Sequence, residues 1–211
     1  MKTEELIRVL AWDGAHPVQP IHRSLLWALV LGAALSATLF AIVLHPRPDI
    51  GAVILTPRFL FKLVAMLALA VTSGALLAEA ARPLPRFRGK SALLVAPVLL
   101  LAGVVVELFI TDTQTWRAHL VGRNAAHCLS LIPLFALAPA ACLFFILKRG
   151  APARPALTGA VAGLVSAGVG AMLYALSCPD DSPLFVATWY SIAIAIVTLV
   201  SSYAGSRALR W

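Results

Sequence analysis

Three cysteines hold most of the reactive chemistry this sequence offers: Cys128 in "HCLSLIPL", Cys142, and Cys178 in "LYALSCPDDSPLF". A pair of thiols can close a disulfide, bind a soft metal ion as thiolates, or do neither. Imidazole and carboxylate groups stand nearby in sequence: His119 and His127 before Cys128, and Asp180 and Asp181 after Cys178. That mixture suits zinc and softer ions, but none of the spacings is diagnostic of a metal site. The two aspartates also suit the positive end of a following helix. Two further residues stand out because their neighbours are apolar: Lys62 and Glu107.

The elements that carry these residues follow from composition. Of 211 residues, 61% are hydrophobic and 12% charged. Soluble domains carry about 25% charged residues, so this chain cannot cover a globule with polar groups. Six apolar runs are long enough to span a bilayer: Ser24–Leu44, Phe59–Ala80, Ala92–Ile110, Cys128–Leu147, Ala156–Leu176 and Leu184–Ala204. A span needs ~20 residues in helical form, and backbone polar groups in lipid must bond internally. The prediction is an all-α membrane protein, a six-transmembrane-helix bundle over residues 24–205. A cytoplasmic N-terminal segment, 1–23, and a tail, 206–211, flank it. A cleaved signal peptide is not expected, because the first run starts late and is long enough to span.

Cytoplasmic loops accumulate Lys and Arg. With the N-terminus inside, twelve of the 17 basic residues lie inside, four of them in "ARPLPRFRGK". The expected topology is therefore N-in and C-in, and the net charge of +8 reads as a topology signal and a contact with anionic membrane lipids. Direct nucleic-acid binding is not expected, since no recognition helix or aromatic platform accompanies the charge.

This topology sets depth. Cys128 and Cys178 lie together at the outer side, in an oxidising space if the cell is Gram-negative. Cys142 sits roughly 21 Å deeper along its helix. A disulfide needs Cα atoms within ~7 Å, so Cys142 is expected to be a buried structural thiol. Cys128 and Cys178 could form a permanent disulfide, a redox- or metal-responsive pair, or two unrelated thiols. Lys62 and Glu107 are each about one turn inside the outer ends of their spans, which predicts an intramembrane ion pair, with snorkelling of Lys62 as the alternative.

Two other features bear on partners. Gly159 and Gly163 form a GxxxG that Ala167 and Gly170 extend. Such a face packs inside the bundle or against a second copy as a homodimer. "KTEELIRVLAWDG" reads as a short amphipathic helix, with Leu6, Ile7, Val9 and Leu10 on one stripe and Trp12 opposite. A helix this short needs something to dock on, either the membrane surface or a cytoplasmic partner.

The segments "EELIRVLAWD", "HCLSLIPL", "LKRGAPARPALTGAVAGL", "CPDDSPLFVATWY" and "RALRW" together resemble the NrsF family (negative regulator of sigma-F) of membrane anti-sigma factors, across essentially the whole chain. The stretch from Cys128 through Trp189 is the most specific. One departure is Ser177, where the family often has His before the Cys. The resemblance implies an inner-membrane protein that restrains an extracytoplasmic-function sigma factor and releases it under oxidant or heavy-metal stress. It implies Cys128 and Cys178 as sensor cysteines, through disulfide formation or metal ligation. It places sigma binding on the N-terminal segment, with Leu6, Ile7, Leu10 and Trp12 as candidates. No cofactor is implied beyond a heavy-metal ion as signal, and no enzyme activity. A membrane thiol oxidoreductase commonly carries a CxxC, which is missing. A small transporter would want charged groups at mid-depth, where Lys62 and Glu107 do not lie.

Overall fold

Proline marks where three of the long helices begin. Pro57, Pro155 and Pro183 each occupy the first turn of a helix, where a missing N–H costs nothing. The computed structural model describes residues 3–5, 21–81, 90–150 and 152–210. Among these, all regular structure is helical, and six helices are long and apolar enough to cross a membrane. They are α1 (Ile21–Val43), α2 (Pro57–Ala80), α3 (Val95–Ile110), α4 (Ala125–Leu147), α5 (Pro155–Ala175) and α6 (Pro183–Ala208). They correspond to the six apolar runs within a few residues at each end. Residues 3–5 are helical; Leu6, Ile7, Leu10 and Trp12 lie outside the described residues, as does most of "ARPLPRFRGK".

The centre of the bundle is α5. It packs on α6, α2 and α4, while α1 reaches the bundle mainly through α4. Its glycines explain how one helix serves three neighbours. A Cβ on Gly159 would come within 2.8 Å of the Gly205 Cα, and one on Gly163 within 2.5 Å of the Ser201 Cβ, both on α6. Farther along, a Cβ on Gly170 would meet the Ile132 carbonyl oxygen of α4 at 2.7 Å, and one on Gly168 would meet Ala70 of α2 at 3.1 Å. Small residues let backbones approach closely in lipid, where packing rather than water drives association. The GxxxG face is thus filled within the chain by α6, and is not open to a second copy.

The ends of the bundle differ. One end gathers the connections after α1, after α3 and after α5. They include short helical turns at Ile50–Val53 and Trp116–Val121. This loop end holds Cys128 and Cys178 in one buried cluster with Tyr174, Phe185 and Tyr190. Toward the opposite end, a second cluster holds Leu25, Leu77, Leu147, Val161 and Leu209, with Cys142 packed beside it. Cys142 is half-buried rather than enclosed. Helix α3 is the least buried of the six. In α6 the residues Val186–Tyr190 form a π turn, a local widening that often accompanies functional sites.

Gly163→Leu should therefore force α5 and α6 apart and lower stability by about 1–3 kcal/mol, the usual cost of overpacking. The thermal midpoint in detergent should fall while the oligomeric state stays the same; a change of oligomeric state instead would place the motif at an interface between copies.

Candidate functional site: a buried thiol and charge cluster at the loop end

The site is organised by the seven residues between α5 and α6. Cys178 is 2% exposed and Cys128, on the first turn of α4, is fully buried. Both are free thiols. The Tyr174 and Tyr190 rings pack against one another, tilted by 46° with ring centres 5.8 Å apart. The Tyr174 hydroxyl donates to the Asn124 carbonyl at 3.4 Å, and the Cys178 thiol donates to the Asp180 carbonyl at 3.9 Å. The Tyr190 hydroxyl, buried in the same cluster, makes no hydrogen bond to any described residue. Burial pushes the Cys178 thiol above its ordinary range, and the nearby Lys62 charge pulls the other way less strongly.

Lys62 is completely buried. Its ammonium donates to the Cys178 carbonyl at 3.0 Å and to Asp181 Oδ1 at 2.5 Å. Arg47, between α1 and α2, donates to Asp181 Oδ2 at 2.7 Å and grips both Asp49 oxygens at 2.7 Å. The hydrogen bonds to Asp49 and Asp181 hold the Arg47 guanidinium above its usual range, and Arg47 in turn holds the Asp49 carboxyl below its own. The Arg47 backbone N–H also donates to the Leu176 carbonyl. The connection after α1 is thereby tied to the end of α5.

The expected Lys62–Glu107 pair is replaced by two separate sets of partners. Glu107 accepts from the Ser182 hydroxyl at 2.8 Å and from the Leu184 N–H at 2.8 Å, and it contacts His119 Nδ1 at 3.1 Å. It thus serves the free N–H groups at the start of α6, which carry the positive end of the helix dipole. The two aspartates do not play that part. Asp180 Oδ2 accepts from the Arg123 N–H, the Asn124 N–H and the Asn124 side-chain amide at 3.0–3.1 Å, closing the start of α4 beside Cys128. Asp181 answers Lys62 and Arg47. The backbone of Gly122, at φ +57°, turns this segment; a Cβ there would overlap the Phe185 ring.

The topology expected from the sequence sets Cys128 and Cys178 at one level, and the structure places both in the same buried cluster. Arg47, Tyr174 and Tyr190 join them without having been expected from the sequence. Arg47 had a signal, since "HPRPD" sets a cation between two prolines beside an aspartate. Among the described residues no group of three or more His, Cys, Asp and Glu side chains is arranged to hold a metal. His127 is exposed, and His119 is engaged with Glu107.

Two outcomes follow from this geometry. Asp181→Asn strands the buried Lys62 ammonium and should cost about 3–5 kcal/mol, as removing one partner of a buried ion pair does. Adding Lys62→Met should restore much of that loss, and simple additivity of the two thermal-unfolding losses would mean the pair is not coupled. A raised Cys178 pKa leaves the thiol protonated at neutral pH, and only the thiolate reacts. Alkylation of Cys178 in the folded protein should stay slow through pH ~8.5, the ordinary thiol range, and accelerate only above it. Fast labelling at pH 7, followed by mass spectrometry of the peptide, would contradict this.

The sequence matches the family NrsF, described as negative regulator of sigma F, over residues 10–211. It is 32% identical over 217 residues to the anti-sigma-F factor NrsF of Caulobacter vibrioides (strain NA1000 / CB15N), covering 100% of both chains. It is 32% identical over 214 residues to a protein of Azospira oryzae (strain ATCC BAA-33 / DSM 13638 / PS) named "Probable anti-sigma-F factor NrsF", again covering 100% of both. No solved structure is significantly similar. The whole-length match, running through both cysteines and all six helices, shows that the chain belongs to the NrsF family, the negative regulators of sigma F.

Proposed function

We propose that this chain is an anti-sigma factor of the bacterial inner membrane. It holds an extracytoplasmic-function sigma factor at the cytoplasmic face and releases it when oxidant or heavy metal reaches a periplasmic cysteine pair. The observation that carries the anti-sigma role is the similarity, over the full length of both chains, to a relative named anti-sigma-F factor. The role is regulatory rather than enzymatic. The orientation rests on charge: Lys148, Arg149, Arg154, Arg207 and Arg210 gather at the end opposite the thiols, as the positive-inside rule asks of a cytoplasmic face.

Sensing is assigned to Cys128 and Cys178. A soft metal ion can displace both thiol protons and bind two thiolates. Alternatively, a periplasmic oxidant takes two electrons from the pair, a sulfur–sulfur bond forms and two protons leave. Either event fixes a new distance between the start of α4 and the end of α5. The Cys178 carbonyl is held by Lys62 of α2, so the change reaches a third helix at once. Sigma capture is assigned to the N-terminal segment with Leu6, Ile7, Leu10 and Trp12, whose apolar side chains suit a partner surface. The regulatory effect requires that the two thiol states differ in affinity for the sigma factor.

The test is a reporter of the sigma regulon in cells carrying Cys128→Ser with Cys178→Ser, or lacking residues 1–14. The serine variant should stay repressed under cadmium and dichromate, and the truncated chain should fail to repress at all. A fully stress-responsive regulon in the serine variant would sink the sensing assignment, and intact repression by the truncated chain would sink the capture assignment.

A further inference from the structure

Between α2, α3 and the connection after α5 lies a cavity of about 930 Å³. Its wall is apolar, formed by Phe61, Leu99, Ala102 and Val106, and its polar end holds Arg58 and Glu107 beside Arg47 and Asp181. The cavity sits at the loop end of the helices, where hydrocarbon would give way to headgroups, and Val106 and Ile110 of α3 remain exposed alongside it. It is of the size that ligand sites reach.

The charged groups at the polar end are not equivalent. Asp181 already accepts from Lys62 and Arg47, and Glu107 from Ser182 and Leu184. Arg47 spends its guanidinium on Asp49 and Asp181. Arg58 differs. Its guanidinium is half-exposed and stands 3.8 Å from Glu107, an ion pair too long for a hydrogen bond, and no described residue accepts a hydrogen bond from its five donors. An apolar trough ending at a guanidinium whose donors no described residue takes complements an amphiphile whose head is an anion, and planar bidentate donors match a phosphate in particular.

We propose that this cavity binds one anionic phospholipid, with its phosphodiester on Arg58 and an acyl chain along Phe61, Ala102 and Val106. The site is separate from the thiols and stands whether or not Cys128 and Cys178 sense stress. It does border Asp181 and Ser182, so its occupant touches the same connection that carries Cys178.

The test uses the full chain in mild detergent, with phosphatidylglycerol and phosphatidylcholine as probes and native mass spectrometry as readout. The unaltered protein should keep one phosphatidylglycerol through activation that strips other lipid, in preference to phosphatidylcholine. Arg58→Gln should weaken phosphatidylglycerol retention about tenfold, the scale of a lost hydrogen bond to a charged group, and erase the headgroup preference. Ala102→Trp should fill the trough and lose both lipids, whereas Leu199→Trp, on the exposed face of α6, should change nothing. Arg58 is half-exposed, so its variant keeps the test sound if Ala102→Trp misfolds. Equal retention of the two lipids by the unaltered protein, retention unaffected by Arg58→Gln, or binding of inorganic phosphate without any retained lipid would each overturn the proposal.

Discussion

An ammonium group sealed inside an apolar bundle must be met by oxygen, and that requirement shapes the loop end of this protein. Leaving such a charge unpaired costs several kcal/mol, more than most single contacts return. Lys62 meets it with the Cys178 carbonyl and the Asp181 carboxylate, neither of which lies on its own helix. The connection after α5 therefore has to fold inward over α2. Once there, each neighbour of Cys178 finds a further tie. Asp181 takes Arg47 from the connection after α1, Asp180 takes the start of α4, and Ser182 takes Glu107 at the end of α3. One buried cation thus explains why all three connections at this end converge on residues 178 to 182.

That convergence would matter little if the helices behind it were loosely packed. They are not, because α5 has traded side chains for contact. Its small residues run along the helix and meet different partners as the helices cross: α6 near Gly159 and Gly163, α4 near Gly170, and α2 on the side of Gly168. Interiors packed backbone to backbone have little room to absorb a displacement and pass it on instead. Cys128 begins the helix that Gly170 touches, and Cys178 follows the helix that carries Gly170. A new bond between the two sulfurs would act on elements already in contact, which is the physical condition for coupling one end of a bundle to the other.

Most of the architecture was legible because lipid imposes a simple code: runs of apolar residues of fixed length, with proline at N-termini. The depth of each cysteine followed from the same code, so Cys128 and Cys178 could be set together and Cys142 apart. Pairing at a given depth was not legible. Lys62 and Glu107 do lie near the same level, but three carboxylates do so, and which one meets the lysine depends on the path of a short connection. Glu107 had a competing claim from the free N–H groups of α6, and the aspartates had competing claims from Arg47 and from the start of α4. The GxxxG motif was read along one helix, whereas its partner is set by crossing geometry that only the assembled bundle contains. Tyr190 gave no signal at all, because its position beside Cys178 depends on a π turn.

The surroundings of Cys178 are unevenly balanced, and this bears on what a change at that sulfur could do. On its backbone side stands the strongest tie in the cluster, the carbonyl bonded to a buried ammonium. On its thiol side the sulfur has one long hydrogen bond among the described residues, to the Asp180 carbonyl at 3.9 Å. A thiol is a weak donor, so that contact holds the side chain far less firmly than the ammonium holds the carbonyl. A bond or ion at the sulfur would replace that weak contact while the lysine continued to fix the backbone. The displacement would then be directed along the side chains toward α4 and α6 rather than lost in a loosened turn. A connection held firmly at neither side would bend, and one held firmly at both would resist; this one is firm at its backbone and lightly held at its thiol.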